Sequence, residues 1–270
     1  MLFSAAGTAA VDDAVATTQA RICALNVHNP GAARAQQQVE WLLQTQCNVL
    51  ILTELKRSEG GRRLIRSLEA DGFDILWGDA DPDAYSTALV TKGFTVHPLI
   101  ERAFDPRVAV ADLRSAGGHL RVAAVYGPTN GMTAHSSTTR AVFQRRLLTY
   151  LTAHRDDRLI VAGDLNVVEP NHKPPIDSFE DHDYAFYTGL LELQLADAYR
   201  LLHPDGADHS WHHDRYGSQR LDHILLGTAL VPSLRNFRYE QDARTSGVSD
   251  HAAALSTITL NDPHTPEERT

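Results

Sequence analysis

The chain has 270 residues and a net charge of −9, and its composition is 43% hydrophobic and 22% charged. This length suits one large α/β domain or two small ones, and the composition is ordinary for a globular protein. The chain therefore lacks the overall positive charge that is typical of a nonspecific nucleic-acid binder. It also lacks a run of 18 apolar residues, which argues against a membrane partner.

In chain order, the apolar patterns predict strands interspersed with helices. The predicted strands lie at residues 20–27, 48–55, 73–80, 85–93, 94–100, 109–115, 119–128, 157–168, 209–214, 218–226 and 252–260. The predicted helices lie at residues 33–46, 60–72, 134–155 and 184–193. No linker or repeat divides this order, so we expect one α/β domain at residues 19–262, with two sheets packed together and helices outside.

The ends of the chain are predicted to be a flexible leader at residues 1–18 and a flexible tail at residues 263–270. The leader is a poor signal peptide because no Lys or Arg precedes its apolar part. Cys23 and Cys47 lie in apolar contexts that suit free thiols in a reducing compartment, so we expect a cytoplasmic location, with secretion as the alternative. The sequence has no CxxC or HExxH motif and therefore does not indicate a zinc site.

Polar and titratable residues occur where the buried strands are predicted to begin or end. They are Asn26, Glu54, Tyr126, Asp164, Asn166, Asp222, Asp250 and His251. Each alone is typical of an ordinary turn, but burying so many polar groups without partners would cost a few kcal/mol each, on the order given by transfer data. We therefore expect them to satisfy one another at a common site.

The chemistry of this set is that of hard oxygen donors plus one imidazole. Four carboxylates and two amides suit Mg²⁺ or Mn²⁺ better than a structural zinc. Asp164 and Asn166 are two residues apart and should point to the same side of a strand. His251 needs a carboxylate to fix its tautomer, and Asp222 is the candidate. The set fits metal-assisted hydrolysis of a phosphoester.

In this order, the stretches LNV, LTE, VYGP, GDLN, RLDHILL and SDH resemble the endonuclease/exonuclease/phosphatase superfamily, which has the DNase I-like fold. The resemblance runs from about residue 20 to 260. It implies a four-layered α/β sandwich of two packed mixed β-sheets flanked by helices, and a Mg²⁺-dependent phosphohydrolase in which Mn²⁺ can substitute. The stretch 190–226 is similar to the exonuclease III/AP endonuclease branch, which implies a DNA substrate and a role in DNA repair.

The resemblance also implies a role for each matching residue. Asp164 would activate or position the attacking water, and Asn166 would hold the phosphate. His251, paired with Asp222, would stabilise the charge that develops on the phosphorus oxygens. Tyr126 would contact the phosphate or assist the leaving group.

The metal side of the site departs from the pattern of the branch. By resemblance Glu54 would ligate the metal, with Asn26 and Asp250 near it. Thr53 stands where the branch usually has Gln, and His28 stands where it usually has an acidic or polar-Gly turn. These departures put one contact to the metal in question.

Three functions stay open from the sequence. The first is a DNA phosphodiesterase, acting as an exonuclease or AP endonuclease and expected to be a monomer. The second is the same chemistry on a small phosphoester, such as an inositol phosphate, a phospholipid headgroup or a nucleotide. Gln219 and the unusual loop 127–136 permit this second function, because both weaken the match to abasic-site enzymes. The third is a noncatalytic binding module, which should lack Asp164, His251 or Glu54.

Overall fold

The computed structural model describes residues 17–78, 80–99, 105–129 and 131–260. The predicted tail and all but two residues of the predicted leader lie outside this part of the chain. The predicted domain boundaries therefore stay a prediction.

The described residues form strands, helices and one short 3-10 helix at Thr228–Ser233. The strands are β1 Gln19–Asn26, β2 Val49–Leu55, β3 Asp74–Trp77, β4 Ser86–Thr91, β5 Thr95–Pro98, β6 Val108–Ser115, β7 Gly118–Val125, β8 Leu159–Asp164, β9 Leu195–Asp197, β10 Trp211–His213, β11 Gly217–Gln219, β12 Asp222–Gly227, β13 Leu234–Glu240 and β14 Ala253–Thr259. The helices are α1 Ala32–Gln44, α2 Glu59–Ala70, α3 Ala134–Ala153, α4 Asp181–Glu192, α5 Ala198–Leu202 and α6 Asp242–Thr245.

Two six-stranded sheets form the centre of the molecule. The first has the strand order β13-β14-β1-β2-β4-β3, and the second has the order β5-β6-β7-β8-β12-β9. Each contains one parallel pair, β1 with β2 and β7 with β8, and its other described pairs are antiparallel. Both sheets are therefore mixed, as expected.

The parallel pairs place functional residues together. A parallel connection needs a crossover, which α1 supplies between β1 and β2 and α3 supplies between β7 and β8. The carboxyl ends of β1 and β2 consequently lie at one edge of the first sheet, and those of β7 and β8 lie at one edge of the second. Asn26, Glu54, Tyr126 and Asp164 lie at or next to these ends.

The apolar core has three parts, which define four layers. The central part lies between the sheets and includes side chains of β1, β2, β7, β8 and β14. A second part packs α1 and α2 on the outer face of the first sheet, and a third packs α3 and α4 on that of the second. This arrangement confirms the predicted four-layered sandwich.

Three small side chains of the central core lie next to the polar strand ends. Ala24, Ala124 and Ala162 are fully buried between the sheets. Each precedes a predicted site residue by two positions, and residues two apart in a strand share a face. We call these three residues the alanine layer. The polar side chains at the strand ends therefore lie on the inner faces of the two sheets.

The structure corrects three details of the sequence interpretation. The sequence patterns did not predict β13, an edge strand in which only Phe237 and Tyr239 are buried. The strand predicted at 218–226 is two strands. β11 pairs with β10 and β12 pairs with β8, and Arg220 and Leu221 lie between these two pairings. His251 lies two residues and Asp250 three residues before β14, so the pair lies in a loop and not at the start of that strand.

No helix in the described ranges is long and apolar enough to cross a membrane. Cys23 and Cys47 are both buried free thiols, as the apolar contexts predicted.

Candidate active site

A cavity of about 240 Å³ opens at the edge where the polar strand ends meet. The predicted site residues that line it are Asn26, Glu54, Asp164, Asn166, Asp250 and His251. Tyr126 borders it, because its hydroxyl lies 3.5 Å from Glu54 Oε1. Asp222 lies behind His251. The structure thus brings together all eight residues selected from the sequence.

Asp164 is fully surrounded by groups of the site. Asn26 Nδ2 donates to its Oδ2 at 2.9 Å, and Asn166 donates from Nδ2 to Oδ2 at 3.2 Å and from its backbone N to Oδ1 at 2.9 Å. Two glycines permit this close packing. A Cβ at Gly163 would lie 2.1 Å from the carbonyl oxygen of Val125, and one at Gly127 would lie 2.1 Å from that of Leu165. The carboxylate is therefore oriented by fixed neighbours.

His251 and Asp222 form the pair that the sequence predicted. His251 Nδ1 lies 2.7 Å from Asp222 Oδ2, and both side chains are buried. The other ring nitrogen, Nε2, lies 3.4 Å from Asn26 Nδ2, on the side of Asp164. Asp222 pairs across the sheet with Asp164 in the register of β12 with β8. The imidazole is thus held by one carboxylate and faces another.

These buried charges shift one another's protonation. Burial raises the pKa of Asp164 to about 8, and repulsion from the Asp222 carboxylate contributes to the rise. Burial alone would lower the pKa of His251, but attraction to Asp222 outweighs it and raises that pKa to about 10. His251 is accordingly an imidazolium at neutral pH, and the Asp164 carboxyl exchanges its proton close to neutral pH.

Tyr126 is suited to donate a hydrogen bond. Its side chain is almost completely buried and its ring packs edge-on against Tyr85, with centroids 5.8 Å apart. Burial and the nearby carboxylate of Glu54 raise the pKa of the Tyr126 phenol. The phenol therefore keeps its proton at neutral pH.

Glu54 and Asp250, which the sequence resemblance assigned to the metal, both line the cavity. Burial raises the pKa of Glu54, His28 lowers it, and repulsion from Asp250 adds to the rise. Two carboxylates that repel each other at the mouth of a cavity provide hard oxygen donors, and a divalent cation would relieve the repulsion. These carboxylates therefore fit the divalent metal ion that the sequence resemblance implies.

A second set of ligand atoms lies deeper in the site. One ligand atom each from Asp164, Asp222 and His251 lies within 4.8 Å of the others. The 2.7 Å contact between His251 and Asp222 already uses two of these groups, so a metal here would compete with that pair. We therefore favour Glu54 and Asp250 as the ligands.

The sequence interpretation missed two serines that hold the site in place. Ser249 Oγ donates to the backbone oxygen of Asn26 at 2.5 Å and accepts from the backbone N of His251 at 3.0 Å. Ser210 Oγ accepts from the backbone N of Leu221 at 3.0 Å and from that of Asp222 at 3.1 Å. The position of Ser249 immediately before Asp250 was a usable signal. Ser210 gave none, because its partners lie more than ten residues away.

The cavity also has aromatic walls. Phe179, Trp211 and Tyr216 line it, and the Trp211 ring lies 6.4 Å from the His251 ring between centroids. Trp211 and His251 also share a backbone bridge, which attaches the β10–β11 hairpin to the site. Flat apolar surfaces next to a charged centre suit a ligand that has both rings and phosphate groups.

Comparison with known proteins places the fold. No family model matches this chain, and no curated protein matches it. A variant of the 3′ phosphatase NExo from Neisseria, bound to a product DNA hairpin, is 22% identical, with a TM-score of 0.74 over 88% of this chain and 98% of that chain. The 3′-5′ exonuclease NExo from Neisseria meningitidis is 23% identical, with a TM-score of 0.74 over 88% of this chain and 99% of that chain.

An AP endonuclease from Archaeoglobus fulgidus is 19% identical, with a TM-score of 0.72 over 88% of this chain and 98% of that chain. These likenesses extend over nearly the full length of each solved structure. They confirm the DNase I-like fold that the sequence resemblance implied.

Proposed function

We propose that this protein is a Mg²⁺-dependent phosphodiesterase that cleaves DNA phosphodiester bonds in repair, as an exonuclease or AP endonuclease. The observation that carries the proposal is the Asp164 carboxylate, held by Asn26 and Asn166 opposite the His251–Asp222 pair. The solved structures that share the fold include an exonuclease, a 3′ phosphatase bound to DNA and an AP endonuclease. The expected monomeric state and cytoplasmic location stay predictions.

The proposed reaction begins with a water molecule next to Asp164. The raised pKa of this carboxyl makes its ionised form a stronger base than an ordinary aspartate, so that it accepts a proton from water more readily. Asn26 and Asn166 restrict its rotation, so that its oxygens keep one direction relative to the phosphate. Asp164 thereby serves as the general base that delivers hydroxide in line with the leaving oxygen.

Negative charge that develops on the phosphoryl oxygens would be met by His251 and Tyr126. The imidazolium keeps its charge because Asp222 accepts from it at 2.7 Å. The Tyr126 phenol stays protonated and donates to the phosphate or to the leaving oxygen. Glu54 and Asp250 would hold Mg²⁺, which supplies Lewis-acid stabilisation of the same charge when bound. Preorganised donors of this kind are worth several kcal/mol, roughly 10²–10³-fold each.

The test is nuclease activity on defined DNA. A duplex with one abasic analogue and a duplex with a recessed 3′ end are incubated with the protein and Mg²⁺. We expect nicking or 3′ digestion that EDTA abolishes and that Asp164→Asn lowers by at least about 10²-fold. Asp71→Asn makes the same chemical change at an exposed site at the end of α2 and should keep full activity. DNA left intact by the wild type at micromolar enzyme would sink the DNA proposal.

A small phosphoester is the second candidate. Gln219 is buried and lines the cavity at a position where the resemblance expects a bulky apolar side chain. A buried amide there favours a polar ligand group over the apolar face of an abasic sugar. Hydrolysis of a small phosphodiester or phosphomonoester, with DNA left intact, would favour this candidate. The noncatalytic alternative is disfavoured because Glu54, Asp164 and His251 all border one cavity.

A further inference from the structure

The β10–β11 hairpin forms one wall of the active-site cavity and presents two different side chains to it. Trp211 and Gln219 are partners across the hairpin, and the side chains of directly paired residues project from the same face. Both line the cavity, and so does Tyr216 from the connecting turn. An aromatic ring and an amide group therefore lie next to each other on this wall.

The amide group of Gln219 has a fixed orientation. Its Nε2 donates to the backbone carbonyl oxygen of Tyr216 at 3.1 Å, and only the amide nitrogen can make this bond, because a carbonyl oxygen accepts and does not donate. The residue is only 5% exposed, and no group in the described part of the chain donates to its Oε1. Because Gln219 lines the cavity, Oε1 is the acceptor that this wall offers to a ligand.

The ring of Trp211 is supported by other side chains of the hairpin. The His213 ring stacks on it, with centroids 5.6 Å apart and planes 18° apart, and the Tyr216 ring lies 4.9 Å from that of His213. The Trp211 ring also lies 6.4 Å from the ring of His251, which meets the phosphate in the proposed reaction. Since one sugar separates the base of a nucleotide from its phosphate, a base at Trp211 is compatible with a phosphate at His251.

We propose that Trp211 and Gln219 form a nucleobase subsite, in which the base stacks on the indole and its exocyclic amino group donates to Gln219 Oε1. Aromatic side chains stack on any base, whereas an amide acceptor selects a donor on the edge of the base. An abasic sugar has no ring to stack on Trp211. The subsite therefore selects a nucleotide that keeps its base, and this inference rests on the proposed function for the phosphate at His251.

The test measures binding without turnover, by calorimetric titration in EDTA. The ligands are dAMP, the same nucleotide with purine in place of adenine, which lacks only the amino group, and deoxyribose 5-phosphate, which lacks the base. We expect dAMP to bind about 3- to 10-fold more tightly than the purine nucleotide, the order of one hydrogen bond. It should bind at least about tenfold more tightly than the sugar phosphate, the order of one stacked base.

The variants assign each preference to one side chain. Gln219→Leu removes the acceptor, so this variant should bind dAMP and the purine nucleotide equally and still prefer both to the sugar phosphate. Trp211→Leu should lose most of the preference for a base over the sugar phosphate. The matched control is Gln37→Leu, which makes the same change at an exposed position of α1 and should behave as the wild type.

The base that the subsite accepts belongs either to the 3′ end of DNA or to a free nucleotide. A duplex with a one-residue 3′ overhang of adenine is therefore compared, also in EDTA, with the same duplex that ends in purine. A preference for the adenine end as large as that for dAMP would assign the subsite to DNA. A preference seen only with the mononucleotides would assign it to a free nucleotide.

Three results would overturn the proposal. They are equal binding of dAMP and the purine nucleotide by the wild type, a preference for dAMP that persists in Gln219→Leu, and no binding of dAMP at millimolar concentration. None of them depends on cleavage. A protein that binds dAMP as expected but leaves DNA intact would support this inference and contradict the nuclease proposal, so the two failures are distinguishable.

Discussion

Two buried polar clusters lie side by side around the start of β12, and they are built on opposite principles. The catalytic cluster consists of Asn26, Asp164, Asp222 and His251. The second, which we call the Arg220 network, consists of Glu169, His172, Tyr187, Asp197, Arg220 and His223. Arg220 and Asp222 are separated by one residue, so the same segment serves both.

Permanent cations face the carboxylates of the Arg220 network. Arg220 Nη1 donates to Asp197 Oδ2 at 2.7 Å, and Arg220 Nη2 lies 2.9 Å from Glu169 Oε2. Burial alone would raise the pKa of Asp197, but the Arg220 guanidinium holds it well below its usual range. Arg200 also binds Glu169, and the pKa of that carboxyl is likewise lowered against the effect of burial.

The catalytic cluster lacks such compensation. Asp164 and Asp222 face each other with a single imidazole for both, and the pKa of Asp164 rises to about 8. Asp222 Oδ1 is buried and has no hydrogen-bond partner within the described part of the chain. The comparison shows that two adjacent groups of buried charges can have different roles, one structural and one chemical. The paired network fixes the backbone of β12, and the unbalanced cluster keeps a group able to exchange protons.

Breaking the Arg220 network should have the largest effect on folding. Arg220→Met keeps much of the side-chain volume but leaves Asp197 and Glu169 buried without their guanidinium. We expect a loss of about 3–5 kcal/mol in the free energy of unfolding, measured by urea denaturation. Arg238→Met breaks the exposed pair with Glu240 and should cost only about 0–1 kcal/mol. Equal losses in the two variants would contradict this role.

Breaking the catalytic cluster should raise the free energy of unfolding, whereas breaking the Arg220 network lowers it. Asp164→Asn removes a carboxylate that burial and Asp222 disfavour, and the amide can still bond Asn26 or Asn166. We expect the metal-free variant to gain roughly 0.5–2 kcal/mol in unfolding free energy at neutral pH, as in other trade-offs between activity and stability. A clear destabilisation in the same urea experiment would show that the two clusters do not differ in this way.

The third effect is the pH dependence, which separates the clusters by direction. The lowered pKa values of Asp197 and Glu169 give stability that is present above about pH 4 and is lost as the pH falls further. The raised pKa of Asp164 makes stability decline as the pH rises from about 4 through 8. Unfolding curves without metal should therefore fall on both sides of a maximum.

Two variants identify which carboxyl group causes the loss of stability on each side of the maximum. Asp197→Asn should reduce the loss on the acid side only. Asp164→Asn should reduce the loss on the alkaline side, where His251 still contributes because its raised pKa also makes stability fall as the pH rises. Curves that keep the shape of the wild type in both variants would refute the assignment.

The sequence predicted the catalytic cluster better than the network that supports it. Site residues could be selected because apolar strands ended in polar groups, and burial forces such groups to meet. The Arg220 network left no comparable signal. Glu169 and His172 lie in a loop, Tyr187 lies in α4, and two further members lie in β9 and β12. Arg220 lies between β11 and β12, although the sequence pattern made it part of one continuous strand. Strand β13 was missed for a related reason, since an edge strand with one wet face has few apolar residues.

The alanine layer has a consequence for how this protein can change. Asn26, Glu54 and His251 come from the first sheet and its loops, whereas Asp164 and Asp222 come from the second, so alignment of the site depends on the spacing of the sheets. Ala24, Ala124 and Ala162 set that spacing immediately beneath the polar strand ends. A larger side chain there would act as a wedge, and a displacement of about 1 Å is enough to cost catalysis heavily. The side-chain volume at these three positions therefore controls the alignment of the site, and a change there should impair catalysis before it unfolds the protein.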